Sequence, residues 1–124
     1  MIEASALTEP WQVRFRSGAN EGIADTVKEG VGGTAGMRPH ELLEAALASC
    51  MTISARMGLA GTGADDAGVS VRVELDRGET TTTFRYELVL APALEPHRAL
   101  IEERIARSPV RSTLGKQLRF EARA

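Results

Sequence analysis

Cys50 is the only thiol in this 124-residue chain, and no other side chain in it offers a comparably strong nucleophile. It sits in the run Pro39-His40-Glu41-Leu42-Leu43-Glu44-Ala45-Ala46-Leu47-Ala48-Ser49-Cys50-Met51-Thr52-Ile53-Ser54-Ala55-Arg56-Met57. A thiol reacts as its thiolate, which needs a cation, a helix N-terminus or a base beside it. A helix opening at Pro39 leaves its N-terminus about 16 Å from the sulfur, and the dipole effect fades beyond the first turn. The same-face neighbours Ala46, Leu47, Ile53 and Ser54 carry no charge, and Arg56 points elsewhere. Two readings stay open: a cysteine packed for its shape, or a nucleophile activated by a cation from another segment or a second subunit.

Two other patterns come near known chemistry. His40-Glu41-Leu42-Leu43-Glu44 is one residue short of the H-E-x-x-H zinc signature, with Glu44 where the second histidine would stand. The only other histidine is His97, so no metal site is expected. Glu41 reads instead as the third helical residue, placed to accept from amides of the first turn. Gly30-Val31-Gly32-Gly33-Thr34-Ala35 fits a loose G-x-G-x-x-A, but no helix opens directly from it and residue 55 is Ala. A dinucleotide site needs both that helix and an acid about twenty residues on, so no cofactor is expected.

Bulk properties narrow the partners. The length is that of a single domain, 1–124, and only five aromatics (Trp11, Phe15, Phe84, Tyr86, Phe120) serve its core. The net charge is −2, against the strong basic excess that nucleic-acid binding requires. The basic last third (Arg104, Arg107, Arg111, Lys116, Arg119, Arg123) interleaves with Glu102, Glu103 and Glu121, the pattern of a solvated face. One cysteine excludes an internal disulfide, and Met1-Ile2-Glu3-Ala4 has no signal-peptide character. Glu44, Arg56 and several hydroxyls interrupt the apolar run at 42–60, so a membrane span is not expected and a cytoplasmic location is.

The elements that must hold Cys50 follow from periodicity. Trp11, Val13 and Phe15 alternate with Gln12, Arg14 and Arg16 as a half-buried strand, and Gly22 to Lys28 forms a short returning one. A glycine-rich loop over 29–38 leads to a helix from Pro39 to about Leu59. Its apolar and small residues cover the whole circumference, the mark of a helix buried on all sides. So few large side chains cannot sheath it within one chain, which predicts a homodimer with this helix near the two-fold axis. Val69 to Leu75 and Phe84 to Leu90 alternate as two strands joined through Arg77-Gly78-Glu79. Residues 95–107 form a second helix ending at Ser108-Pro109, and Leu118, Phe120 and Ala122 alternate as a last strand. The fold class is α+β.

The segment Pro39 to Ile53 resembles the central-helix signature of the OsmC/Ohr family, the osmotically inducible protein C and organic hydroperoxide resistance proteins. The Gly32-Gly33 to Pro39 loop and the tail Ile105-Ala106-Arg107-Ser108-Pro109-Val110-Arg111-Ser112-Thr113-Leu114 are similar to the family as well. The resemblance spans about 11–122. It implies an intertwined homodimer, with two long central helices packed against antiparallel sheets. It further implies reduction of organic hydroperoxides by a cysteine that Cys50 matches, with an external thiol as reductant. The sequence departs from the family pattern in three places. Ser108 stands where the second family cysteine would be, His40 follows the helix-opening proline with Glu41 one place later, and the family's arginine has Arg16 as candidate with Arg14 and Arg38 as rivals. Two functions follow as expectations: a one-cysteine peroxidase in which His40 or Glu41 orients the arginine, or a redox-inactive relative binding a small apolar ligand or partner at the dimer cleft.

Overall fold

Three antiparallel strands open the chain, β1 (Glu3–Ala6), β2 (Val13–Ser17) and β3 (Asn20–Ala24), in the order β1-β2-β3. They belong to a computed structural model that describes residues 1–123 and falls into two compact units, Met1–Leu43 and the remainder from Glu44. In β2, Val13 and Phe15 are half-buried while Arg14 and Arg16 face solvent, as the alternation predicts. Trp11 does not join them. Gln12 N–H donates to the Glu9 carbonyl at 3.2 Å, which makes Pro10 and Trp11 the centre of a turn and sets Trp11 at φ 67°. Its indole N–H donates to the Val31 carbonyl at 3.0 Å. β1 carries no apolar alternation and is exposed throughout; pairing along β2 (Glu3 opposite Arg16, Ala6 opposite Val13) makes it a strand.

The returning strand expected over 22–28 breaks at Asp25 into β3 and β4 (Val27–Lys28), and β4 pairs with β5 (Val31–Gly32). Asp25 is only 2% exposed and explains the break. One carboxylate oxygen accepts from Thr26 N–H at 2.8 Å and the other from Ala35 N–H at 3.0 Å. The glycine-rich segment therefore wraps a carboxylate of its own chain. Gly36 is needed for this, because a Cβ there would collide with the Ile23 carbonyl.

α1 (Pro39–Leu59) starts with Pro39 at its first position and Glu41 accepting from Arg38 N–H at 3.0 Å, half of a capping box. It ends before Gly61, whose φ of 90° suits a residue without a Cβ. Within the second unit, Leu47, Met51, Ala55 and Leu59 pack against Val69 and Val71 of β6 (Val69–Arg77). Leu94, Ile101 and Ile105 complete the core. β6 pairs with β7 (Thr82–Leu90), Val71 opposite Leu88 and Val73 opposite Tyr86. Glu44 accepts from the Leu75 amide at 2.8 Å, tying the helix to the strand edge. By length and a mean hydropathy of 1.2, α1 could cross a membrane, yet it is the core helix of this unit.

Three expectations are corrected here. The helix expected over 95–107 is a 3-10 turn (Pro92–His97) followed by α2 (Arg98–Ala106), the break falling at Pro96. Ser108-Pro109 ends α2 and also opens a further helix, α3 (Pro109–Leu114), because serine is a good N-cap and proline fits the first helical position. The last strand through Leu118, Phe120 and Ala122 does not form. No strand pairs with it, and Phe120 is 93% exposed. Alternation alone makes no strand without a neighbour to take its hydrogen bonds. As expected of a helix that one chain cannot sheath, α1 leaves Ala46, Ile53 and Met57 facing solvent.

Asp25 makes the fold acid-sensitive. The Ala35 amide above all, helped by the Thr26 and Gly33 amides and the Gln12 side chain, holds its carboxyl below the ordinary value of 3.8 despite burial. A carboxylate with a depressed native pKa stabilises fully above its unfolded value and loses that contribution as pH falls through the native value. Urea midpoints of the wild type and Asp25→Asn should thus differ most near neutrality and converge below about pH 4. Equal midpoints at pH 7 would show that this carboxylate does not hold the loop.

Candidate functional site

α1 presents Cys50 about 60° round from Leu47 at the edge of its buried stripe, and α3 comes up to meet the sulfur. Val110 N–H points at Cys50 Sγ with a separation of 3.5 Å. The thiol opens into a cavity of about 310 Å³ lined by Ile53, Ser54, Met57, Arg104, Arg107 and Pro109. Arg104 and Arg107 thus line the same small, mainly apolar cavity as the only thiol. Gly58 lets one of them approach: a methyl there would lie 2.7 Å from Arg104 Cγ, so the Arg104 stem runs directly across α1. Arg107 is paired with Glu103 at 3.0 Å, while Arg104 has no carboxylate within 4 Å among the described residues. Arg104 is therefore the cation better able to answer a thiolate.

Ser108 is fully buried, and its Oγ accepts from Arg111 N–H at 3.3 Å as the N-cap of α3. It lies two residues before the amide that touches Cys50. The structure thus brings Cys50 and Ser108 into one neighbourhood, with the serine turned to capping.

The other candidates lie in the first unit or in the first turn of α1. Arg16 pairs with Glu3 at 3.5 Å and Arg14 with Glu21 at 3.9 Å, both on the sheet surface. Arg38 pairs with Glu41 at 3.0 Å, and the Arg38 amide with its guanidinium holds the Glu41 carboxyl below its ordinary value. His40 is exposed. Glu41 precedes Cys50 by nine residues on one helix, about 14 Å, so neither it nor His40 reaches the sulfur within a single chain. Arg104 and Arg107 escaped sequence reasoning because they read as part of a solvated basic face. Their one distinguishing signal was position, just ahead of Ser108-Pro109 in the segment that resembles the family tail.

A larger cavity, about 520 Å³, lies in the first unit beside Trp11 and Lys28. Its lining includes Lys28 and threonine hydroxyls but no thiol. No group of three or more histidine, cysteine or acidic side chains placed to hold a metal ion occurs among the described residues.

A family model described as OsmC-like protein matches residues 31–123. The chain belongs to the OsmC-like protein family. Its fold is that of solved structures with little sequence in common. One, from Psychrobacter arcticus 273-4 and described as an osmotic stress induced and detoxification response protein, superposes with a TM-score of 0.74 at 17% identity, covering 90% of this chain and 85% of that one. An organic hydroperoxide resistance protein OsmC from Legionella pneumophila gives 0.61 at 16% identity, covering 93% and 88%. No curated protein sequence matches this OsmC-like chain.

The capping role of Ser108 has a measurable size. Ser108→Ala should lower stability by about 1 kcal/mol, the usual loss for an N-cap hydroxyl, read from urea denaturation. A loss below about 0.3 kcal/mol would mean that α3 does not depend on the cap.

Proposed function

We propose that this OsmC-like protein is a thiol-dependent peroxidase that reduces organic hydroperoxides through Cys50. The observation that supports it best is the thiol in an apolar cavity with the Arg104 and Arg107 guanidiniums and the Val110 amide. In the first step the Cys50 thiolate attacks the terminal peroxide oxygen and the O–O bond breaks. Sulfur becomes a sulfenic acid, and the alkoxide takes a proton and leaves as an alcohol. Arg104, which has no carboxylate partner among the described residues, balances the charge on the thiolate and on the departing oxygen. The apolar wall of Ile53 and Met57 suits a substrate with a hydrocarbon body.

Ser108 cannot form a disulfide, so regeneration falls to external thiol. One thiol condenses with the sulfenic acid to a mixed disulfide and releases water. A second attacks that disulfide, freeing Cys50 as the thiol and releasing the two reductant sulfurs joined as a disulfide. Such a cycle suits a compartment rich in small thiols, such as the cytoplasm. A second copy could bring His40, Glu41 and Arg16 of its first unit to Cys50. The open face Ala46, Ile53 and Met57 supports a homodimer built across α1, since spacings of seven and four place the three on one side of the helix, as in a helix–helix seam.

Purified protein with excess dithiol should consume cumene hydroperoxide. Cys50→Ser should abolish turnover, and Arg104→Met should reduce kcat/KM by at least tenfold. Absence of turnover in the wild type would favour the other reading, a redox-inactive relative whose cavity binds an apolar ligand. Ala46→Glu places a charge in the proposed seam and should convert dimer to monomer in light scattering; an unchanged mass would rule out this face as the interface.

A further inference from the structure

A second cavity in the Glu44-onward unit has no part in the thiol chemistry. It measures about 430 Å³, within the range of small-molecule pockets, and is walled by Leu47, Met51, Phe84, Tyr86 and Leu114 with Arg111 at its edge. The composition of its lining is specific. Phe84 and Tyr86 stand two apart on β7, so both rings project from the same face of the sheet. Opposite them, the first turns of α3 supply a single cation. Among the described residues no carboxylate lies within 4 Å of the Arg111 guanidinium, although most arginines of this chain are paired. Tyr86 is 42% exposed, which leaves the entrance open on the aromatic side.

From this juxtaposition we propose that the cavity binds an aromatic carboxylate. Its ring system lies against Phe84 and Tyr86 over the floor made by Leu47 and Met51, and its carboxylate pairs with the Arg111 fork. Two aromatic walls favour a flat ring over a flexible chain, because rings gain from offset or edge-on packing beyond the area they bury. The guanidinium fork matches the two carboxylate oxygens, so an uncharged analogue of the same shape forfeits the charge-assisted pair. The Cys50 cavity differs in its walls, which contain no aromatic residue.

Titration of the full chain with 2-naphthoate, followed by calorimetry and by backbone amide NMR, tests the site. Binding should be saturable. It should weaken at least tenfold for 2-naphthalenemethanol and for Arg111→Met, and Tyr86→Ala should weaken it as well. Shifts should centre on Phe84, Tyr86 and Arg111 to Gly115, and Cys50→Ser should bind as the wild type does, which separates this site from the peroxidase reading. Equal affinity of naphthoate for Arg111→Met, tighter binding of decanoate, shifts centred on Arg104 and Arg107, or no binding at all would each overturn the proposal. Arg111 is exposed, so its variant should keep the wild-type circular dichroism spectrum.

Discussion

The rest of the molecule depends on one helix with more apolar surface than its own chain can cover. Leu47, Met51, Ala55 and Leu59 form a stripe that the β6–β7 sheet and α2 bury. Ala46, Ile53 and Met57 form a second, which this chain leaves in water. At about 25 cal/mol per Å² of apolar surface, an uncovered stripe of this kind is a standing drive toward association. Cys50 lies between the two, about 60° round the helix from Leu47 on one side and from Ile53 on the other. Its sulfur is therefore held by the core through α3 while its cavity opens toward the uncovered face. Whatever covers that face also sets the dielectric and the charges around the thiol.

α3 couples packing to the site. Its start is over-determined: Ser108 caps it, Pro109 preorganises its first residue, and the Ile105 side chain just upstream is locked in the core. This fixes the Val110 amide against Cys50 and sends Arg111 into a different cavity. A cysteine at 108 would have to give up the capping role that serine performs well, since a thiol is a weak acceptor. The serine thus favours a rigid α3 over a second redox centre.

Much of this was legible in the residues. The α1 boundaries came from Pro39 and the glycines after Leu59, and β6 and β7 came from clean alternation in Val69 to Leu75 and Phe84 to Leu90. Glu41 was readable as a cap from its place at the third helical position. What was not legible depended on tertiary partners. β1 is a strand only because β2 offers it hydrogen bonds, and Leu118 to Ala122 is none because nothing does. Trp11 broke its alternation because Pro10 drew it into a turn. The cations beside Cys50 were missed for the same reason. Arg104 is fifty-four residues from Cys50 in sequence, and only the close approach at Gly58 brings its stem across α1.

The chemistry then turns on how charge is balanced at Cys50. A thiolate facing Ile53 and Met57 alone would be costly, because an apolar surround disfavours the charged form. Val110 contributes one N–H dipole, and a six-residue helix adds little beyond it. Arg107 already answers Glu103, so recruiting it would leave that carboxylate unpaired. Among the described residues Arg104 has no carboxylate within 4 Å, and its stem lies against Gly58 while the side chain lines the cavity. In the proposed peroxidase reading, an arginine outside any salt bridge is the cation available to balance negative charge at the sulfur and then at the leaving oxygen. In the same reading, a cavity open to solvent at Cys50 suits regeneration by an external thiol in a chain with one cysteine.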